Sequence, residues 1–149
     1  MTHIEKIVLV PHKAKSMYDL VNDIESYPDF LPWCGGARVV QREVNEMVAE
    51  IDIKFKGVSQ SFSTRNRISE PTQDAIGEIK MELVSGPFKK LSGQWSFKGI
   101  DDLGCRVMFS LSYEFSNALL EKILGPIFNS ITSTFVDSFV TRAQKVCNE

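Results

Sequence analysis

Hydrophobic and polar residues alternate with a period of two through the middle of the chain and recur at helical spacing towards its ends. Met47, Ala49, Ile51, Ile53 and Phe55 alternate with Val48, Glu50, Asp52, Lys54 and Lys56, the pattern of a strand with one buried face. After Lys56-Gly57 the apolar phase moves to Val58, Phe62 and Ile68. A two-residue turn accounts for the shift. It pairs Phe55 with Val58, Ile53 with Gln60 and Ile51 with Phe62, so both apolar sets share one face. The same register turns Gln60, Thr64 and Asn66 inward, unless the sheet ends early enough to leave Thr64 and Asn66 in water.

Three further stretches alternate in the same way: Ala75 through Leu83, Leu91 through Phe97, and Cys105 through Phe115. Ser85-Gly86-Pro87 and Asp101-Asp102-Leu103-Gly104 supply turns between them. With a strand over 3–10, closed by Pro11, and another over 35–44, the sum is about seven antiparallel strands. A helix over 13–24 places Met17, Leu20, Val21 and Ile24 on one face. Pro28 and Pro32 limit the stretch that follows to one helical turn and an irregular segment. Ser116-Asn117 opens a terminal helix, which Gly125-Pro126 breaks or kinks before a long segment over 127–147. There Phe128, Ile131, Phe135, Phe139 and Val146 form one stripe, widened by Val136, Val140 and Cys147. Such a helix needs a broad apolar surface to lie on, and the sheet supplies it: an α+β layer arrangement. No repeat or linker interrupts the pattern, so 1–149 reads as one domain.

Composition narrows the function classes. A chain of 149 residues, 43% of them hydrophobic, can bury a core without disulfides or a structural metal. Cys34, Cys105 and Cys147 are far apart and form no CxxC or Cys/His cluster, so no metal site is expected. A formal net charge of −2 argues against a general nucleic-acid binder and against DNA as a partner. The first residues lack the apolar centre of a signal peptide, and no stretch has the roughly 20 apolar residues of a span. A cytoplasmic protein is expected. Catalysis finds little support, because neither His3 nor His12 has a Ser or Cys near it with an orienting acid. Asp23 and Glu25 read as a solvated helix end, and no cation near Cys34 in sequence suggests an activated thiol.

The order of one strand, short helices, six antiparallel strands and a long C-terminal helix resembles the helix-grip fold of the START and polyketide-cyclase-like superfamily. The segment from Val10 to Cys34, above all Tyr27-Pro28 followed by Phe30-Leu31-Pro32-Trp33-Cys34, resembles the coenzyme Q-binding protein family, whose bacterial members are also described as ribosome-association toxins. The resemblance implies a sheet curved around the terminal helix over an apolar cavity. It further implies an isoprenoid quinone such as ubiquinone as bound ligand, no required cofactor, a role in respiration and transient contact at the inner membrane. The toxin reading implies the large ribosomal subunit as partner, and the superfamily also includes cyclase and aromatase enzymes.

With that resemblance, the inward residues become a candidate ligand site rather than a solid core. They are Ile53, Phe55, Phe62, Met81, Trp95, Phe97, Phe109, Leu124, Phe128, Ile131 and Phe135. Gly77, Gly93 and Gly99 share their phase, so each removes a side chain from the inner layer. Gln60 or Thr64 is the candidate contact for a ligand headgroup. Phe30, Leu31 and Trp33, beside irregular backbone, are candidate gate residues together with the Gly125-Pro126 break. A ribosome contact would need a basic surface, for which Lys54, Lys56, Arg65 and Arg67 on the outer phase are the candidates, interleaved with Glu50 and Asp52.

Overall fold

A computed structural model describes residues 1–147. Seven strands, β1 (Thr2–Val10), β2 (Cys34–Arg42), β3 (Glu46–Phe55), β4 (Val58–Ser69), β5 (Gly77–Ser85), β6 (Phe88–Ile100) and β7 (Gly104–Phe115), form one antiparallel sheet. Their order is β1-β7-β6-β5-β4-β3-β2, a meander with β1 added beside the last strand. Helix α1 (Ala14–Asn22) and a 3₁₀ segment (Ile24–Asp29) connect β1 to β2, and helix α2 (Ala118–Val146) follows the sheet.

The β3–β4 hairpin forms as the alternating pattern requires. Phe55 pairs with Val58, Ile53 with Gln60 and Ile51 with Phe62. Lys56 and Gly57 both hold positive φ, 50° and 80°, the left-handed pair that lets a two-residue loop follow the strand twist. Further along β4 a register shift between Ser63 and Thr64 buries both side chains, and such a bulge bends its strand. Of the three inner-phase glycines, Gly93 is the one set into the inner layer. A Cβ there would sit 2.8 Å from Met81 Cε and 3.0 Å from Leu111 Cδ1. At Gly77 the neighbour is Pro71, and at Gly99 nothing approaches within 4 Å.

Helix α2 differs from its expected form in two places. It runs unbroken through Gly125-Pro126. A proline inside a helix removes one backbone donor, and the flanking turns carry the helix through that loss, so the irregular backbone expected at this position is not there. Val146 is exposed, and the fully buried Ala143 takes the inner position of the last turns. The start of the helix is as expected: Asn117 Oδ1 accepts a hydrogen bond from the Leu120 backbone N–H at 2.9 Å, an N-cap.

The core lies between the concave face of the sheet and the helices. Met17, Tyr18 and Val21 of α1 are buried, and Tyr18 meets Phe97 edge-on at 5.8 Å. Trp95, Phe109, Phe135 and Phe139 form a second aromatic group, with ring separations of 4.7 to 5.7 Å. Among the described residues no helix is long and apolar enough to cross a membrane.

Candidate functional site: a cavity between sheet and helix

A cavity of about 70 Å³ lies between the sheet and α2. Every layer of the fold contributes to it. Val21 and Asn22 come from α1, Ile24 and Tyr27 from the 3₁₀ segment, and Trp33 from the stretch before β2. The sheet supplies Ala49 and Ile51 (β3), Phe62, Thr64 and Asn66 (β4), Ile79 and Met81 (β5), Leu91 and Trp95 (β6), and Phe109 and Leu111 (β7). Helix α2 closes it with Phe128, Ile131, Thr132 and Phe135. The lining is apolar apart from a few side chains whose bonding is specific.

Two of those polar groups satisfy one another. The Thr64 hydroxyl donates to Asn66 Oδ1 at 2.7 Å, and both residues are at least 95% buried, so the water-exposed alternative for them does not hold. Thr132 donates its hydroxyl to the Phe128 carbonyl at 2.9 Å, one turn back in the helix. Tyr27 donates to the Val21 carbonyl at 2.5 Å. This bond ties the 3₁₀ segment to the end of α1, and burial pushes the phenol well above its ordinary pKa. Trp33 Nε1 and Asn22 Oδ1, in contrast, are buried and meet no hydrogen-bonding group among the described residues.

The sequence candidates fall into three groups. Trp33, Phe62, Thr64, Met81, Trp95, Phe109, Phe128, Ile131 and Phe135 line the cavity. Ile53, Gln60 and Leu124 lie instead around a separate void of about 10 Å³ between the β3–β4 hairpin and α2. Gln60 is therefore absent from the lining of the main cavity, and Phe128 borders both spaces. Phe55 is half-buried at the hairpin end, Leu31 is buried in the core, and Phe97 is fully buried under Tyr18. Phe30 packs on the outside of the cavity wall. Its ring meets Phe139 edge-on at 5.2 Å, and the Arg142 guanidinium lies over it at 5.2 Å.

Val21, Asn22, Ile24 and Tyr27 were not among the sequence candidates, although the apolar face of α1 places Val21 and Ile24 towards the core. Asn22 and Tyr27 give no periodic signal, because the chain changes from α to 3₁₀ geometry between them.

The basic candidates do not form one patch. Lys54 lies opposite Ser59, and Arg65 opposite Val48, so the lysines and arginines sit about 20 Å apart along the hairpin at roughly 3.4 Å per residue. Arg65 and Arg67 both approach Glu46, at 3.5 and 3.8 Å. Lys56 Nζ rests over the Phe55 ring at 5.3 Å. Arg38 bonds Glu50 and Asp52, and its guanidinium, with the Ser61 hydroxyl, holds Asp52 below the usual carboxylate range.

The expectation that no serine stands near a histidine and an acid is corrected by strand pairing. His3 lies opposite Ser112, with Nδ1 2.7 Å from Ser112 Oγ and Nε2 3.5 Å from Glu5 Oε2. Residues 109 positions apart meet across β1 and β7, which spacing along the chain does not reveal. The His3 and Glu5 side chains are each 57% exposed. The other histidine, His12, is buried, outside the cavity lining, with both ring nitrogens lacking a hydrogen-bond partner among the described residues. Burial raises the Cys34 pKa, opposite to what an activated thiol requires.

The family model described as polyketide cyclase / dehydrase and lipid transport matches residues 10–140. The chain is 40% identical over 146 residues to the ribosome association toxin RatA of Escherichia coli (strain K12), covering 98% of this chain and 89% of the relative. It is 25% identical over 137 residues to the mitochondrial coenzyme Q-binding protein COQ10 homolog B of Xenopus laevis, covering 89% of this chain and 54% of that protein. A START superfamily protein from Mycobacterium smegmatis superposes with a TM-score of 0.75 at 18% identity, over 97% of this chain and 98% of the other.

Proposed function

The chain belongs to the polyketide cyclase / dehydrase and lipid transport family, together with the RatA proteins, and from that premise we propose that it is a non-catalytic binder of a hydrophobic ligand. The ligand occupies the cavity between sheet and α2, and a prenylquinone of the ubiquinone type is the class that fits. The carrying observation is the lining, contributed by both helices, the 3₁₀ segment and five strands, with its hydrogen-bonding groups confined to a few named atoms. At about 25 cal/mol per Å², removing a few hundred Å² of prenyl surface from water is worth several kcal/mol before ordering costs. That magnitude supports micromolar binding.

The cavity must open for this. Its volume of about 70 Å³ is roughly half the ~150 Å³ that admits benzene in an engineered protein core. Asn22, Phe62, Met81 and Phe135 are its half-buried lining residues, and Met81, unbranched and flexible, is the side chain suited to yield. Both tryptophans of the chain, Trp33 and Trp95, line the space, so a quinone entering it quenches their emission. Titration with a short-chain ubiquinone should give saturable quenching with a micromolar midpoint. Linear, unsaturable quenching would count against the reading.

A second reading rests on a different observation, the 40% identity to RatA over nearly the full chain. In it the protein associates with the large ribosomal subunit. Because the basic residues of the β3–β4 hairpin are split and partly neutralised, such docking would rest on shape and a few contacts more than on a strong positive field. Co-sedimentation with purified large subunits at moderate salt tests it, and recovery in the supernatant alone would exclude it. A quinone site inside the fold and a ribosome contact outside it can coexist.

A further inference from the structure

Two buried polar atoms of cavity-lining residues, Trp33 Nε1 and Asn22 Oδ1, meet no hydrogen-bonding group among the described residues. One is a donor that cannot accept, and the other is an acceptor. Leaving such atoms unpaired in an apolar space is costly, and protein interiors seldom do so. The other polar groups of the lining do not share this state. Thr64 and Asn66 bond each other, Thr132 bonds its own helix, and Tyr27 bonds Val21. The unsatisfied pair also has a defined position: Asn22 ends α1 and Trp33 follows the 3₁₀ segment. Both residues therefore belong to the part of the wall formed by the β1–β2 connection, and the sheet contributes apolar positions such as Met81 and Leu111 to the same lining.

An acceptor and a donor in one apolar wall call for a ligand group that can both give and take a hydrogen bond. A ketone, an ether or a quinone carbonyl accepts only, and would serve Trp33 while leaving Asn22 Oδ1 unpaired. A hydroxyl does both. We propose that the cavity selects a ligand whose head is a hydroxyl on an apolar ring, a phenol or quinol, docked on Trp33 Nε1 and Asn22 Oδ1 with its hydrocarbon body against Met81, Leu111 and Ile131. This rests on the reading of the cavity as a hydrophobic-ligand site and sharpens it: the hydroxylated, reduced form of a prenylated ring binds in preference to the oxidised form.

Three probes of nearly equal size separate the terms: 4-heptylphenol, 4-heptylanisole and heptylbenzene, each titrated by calorimetry into the full chain. The phenol donates and accepts, the anisole only accepts, and heptylbenzene does neither. The expected result is phenol binding about tenfold tighter than anisole, the size of one well-formed hydrogen bond in a buried site. In Asn22→Leu the phenol's advantage over the anisole should shrink towards unity, whereas in Trp33→Phe that advantage persists and phenol and anisole both lose affinity relative to heptylbenzene, which binds either variant as well as before or better. The wild-type comparison needs no variant, so it stands even if Trp33→Phe folds poorly. Equal affinity for phenol and anisole would overturn the inference and leave the hydrophobic-ligand reading intact. Preference for anisole would also overturn it, by showing that the wall presents donors alone. Failure of all three probes to bind would overturn the cavity reading itself.

Discussion

The Phe30 ring stands edge-on to Phe139 at 5.2 Å, with Tyr27 closing the triangle at 5.3 Å from Phe139 and 6.2 Å from Phe30. This aromatic contact joins the 3₁₀ segment to the C-terminal half of α2, beside the cavity. Each such pair is worth about 0.5–1.5 kcal/mol beyond its buried area. Phe30, capped by Arg142, therefore braces the chain segment between Asn22 and Trp33 against α2.

Phe30→Ala should loosen that segment while the main core, centred on Trp95 and Phe109, persists. The expected outcome is faster association of a short-chain quinone, read by stopped-flow quenching of Trp33 and Trp95, with a modest loss of global stability. An unchanged association rate would show that the ligand enters elsewhere.

Thr64→Val removes the hydroxyl that satisfies Asn66 Oδ1 in a site where Asn66 is 2% exposed. Leaving that acceptor unpaired should cost about 1–3 kcal/mol in urea unfolding, and Thr64→Ser should recover most of it. Gln60→Leu should leave ligand affinity unchanged, because Gln60 lines the smaller void and not the main cavity.

Asp52 supplies a pH dependence with a definite sign. Its carboxylate pKa is lowered by hydrogen bonds from Arg38 and Ser61. A depressed folded-state pKa contributes stability above the unfolded value, and that contribution is lost as pH falls through the folded value. Wild type should therefore lose more stability than Asp52→Asn between about pH 5 and about pH 2, as followed by thermal melts. Parallel melting curves for the two proteins across that range would contradict this assignment.

Much of the fold could be read from alternation because one face of the sheet is buried and the other is solvated. The Lys56-Gly57 turn and the phase change across it fix the Ile51–Phe62 pairing before any long-range contact is considered, and the register agrees. The inner positions Phe62, Met81, Trp95 and Phe109 follow from the same parity. Parity does not distinguish residues around the cavity from residues in solid packing, so Phe97, beneath Tyr18, carries the same signal as Trp95. Pro126 reads as a break because a proline removes a helical donor, yet packing along α2 outweighs that local loss. Asn22 could not be found from pattern, since its importance lies in what its side chain lacks. Nor could His3 and Ser112, which meet only through the β1–β7 pairing.

The central claim is that the space between sheet and α2 is a ligand site. Ala49 lies in the middle of β3 and lines that space at 1% exposure, so Ala49→Leu places three further carbons in a cavity of about 70 Å³. Native mass spectrometry with organic extraction, run on wild type and Ala49→Leu purified alike, tests the claim most directly. The account predicts a prenylated, quinone-class molecule bound to the wild type and lost or strongly depleted in the variant. Wild type that carries no such molecule and takes none up from added prenylquinone, or a variant that holds it equally well, would contradict the account.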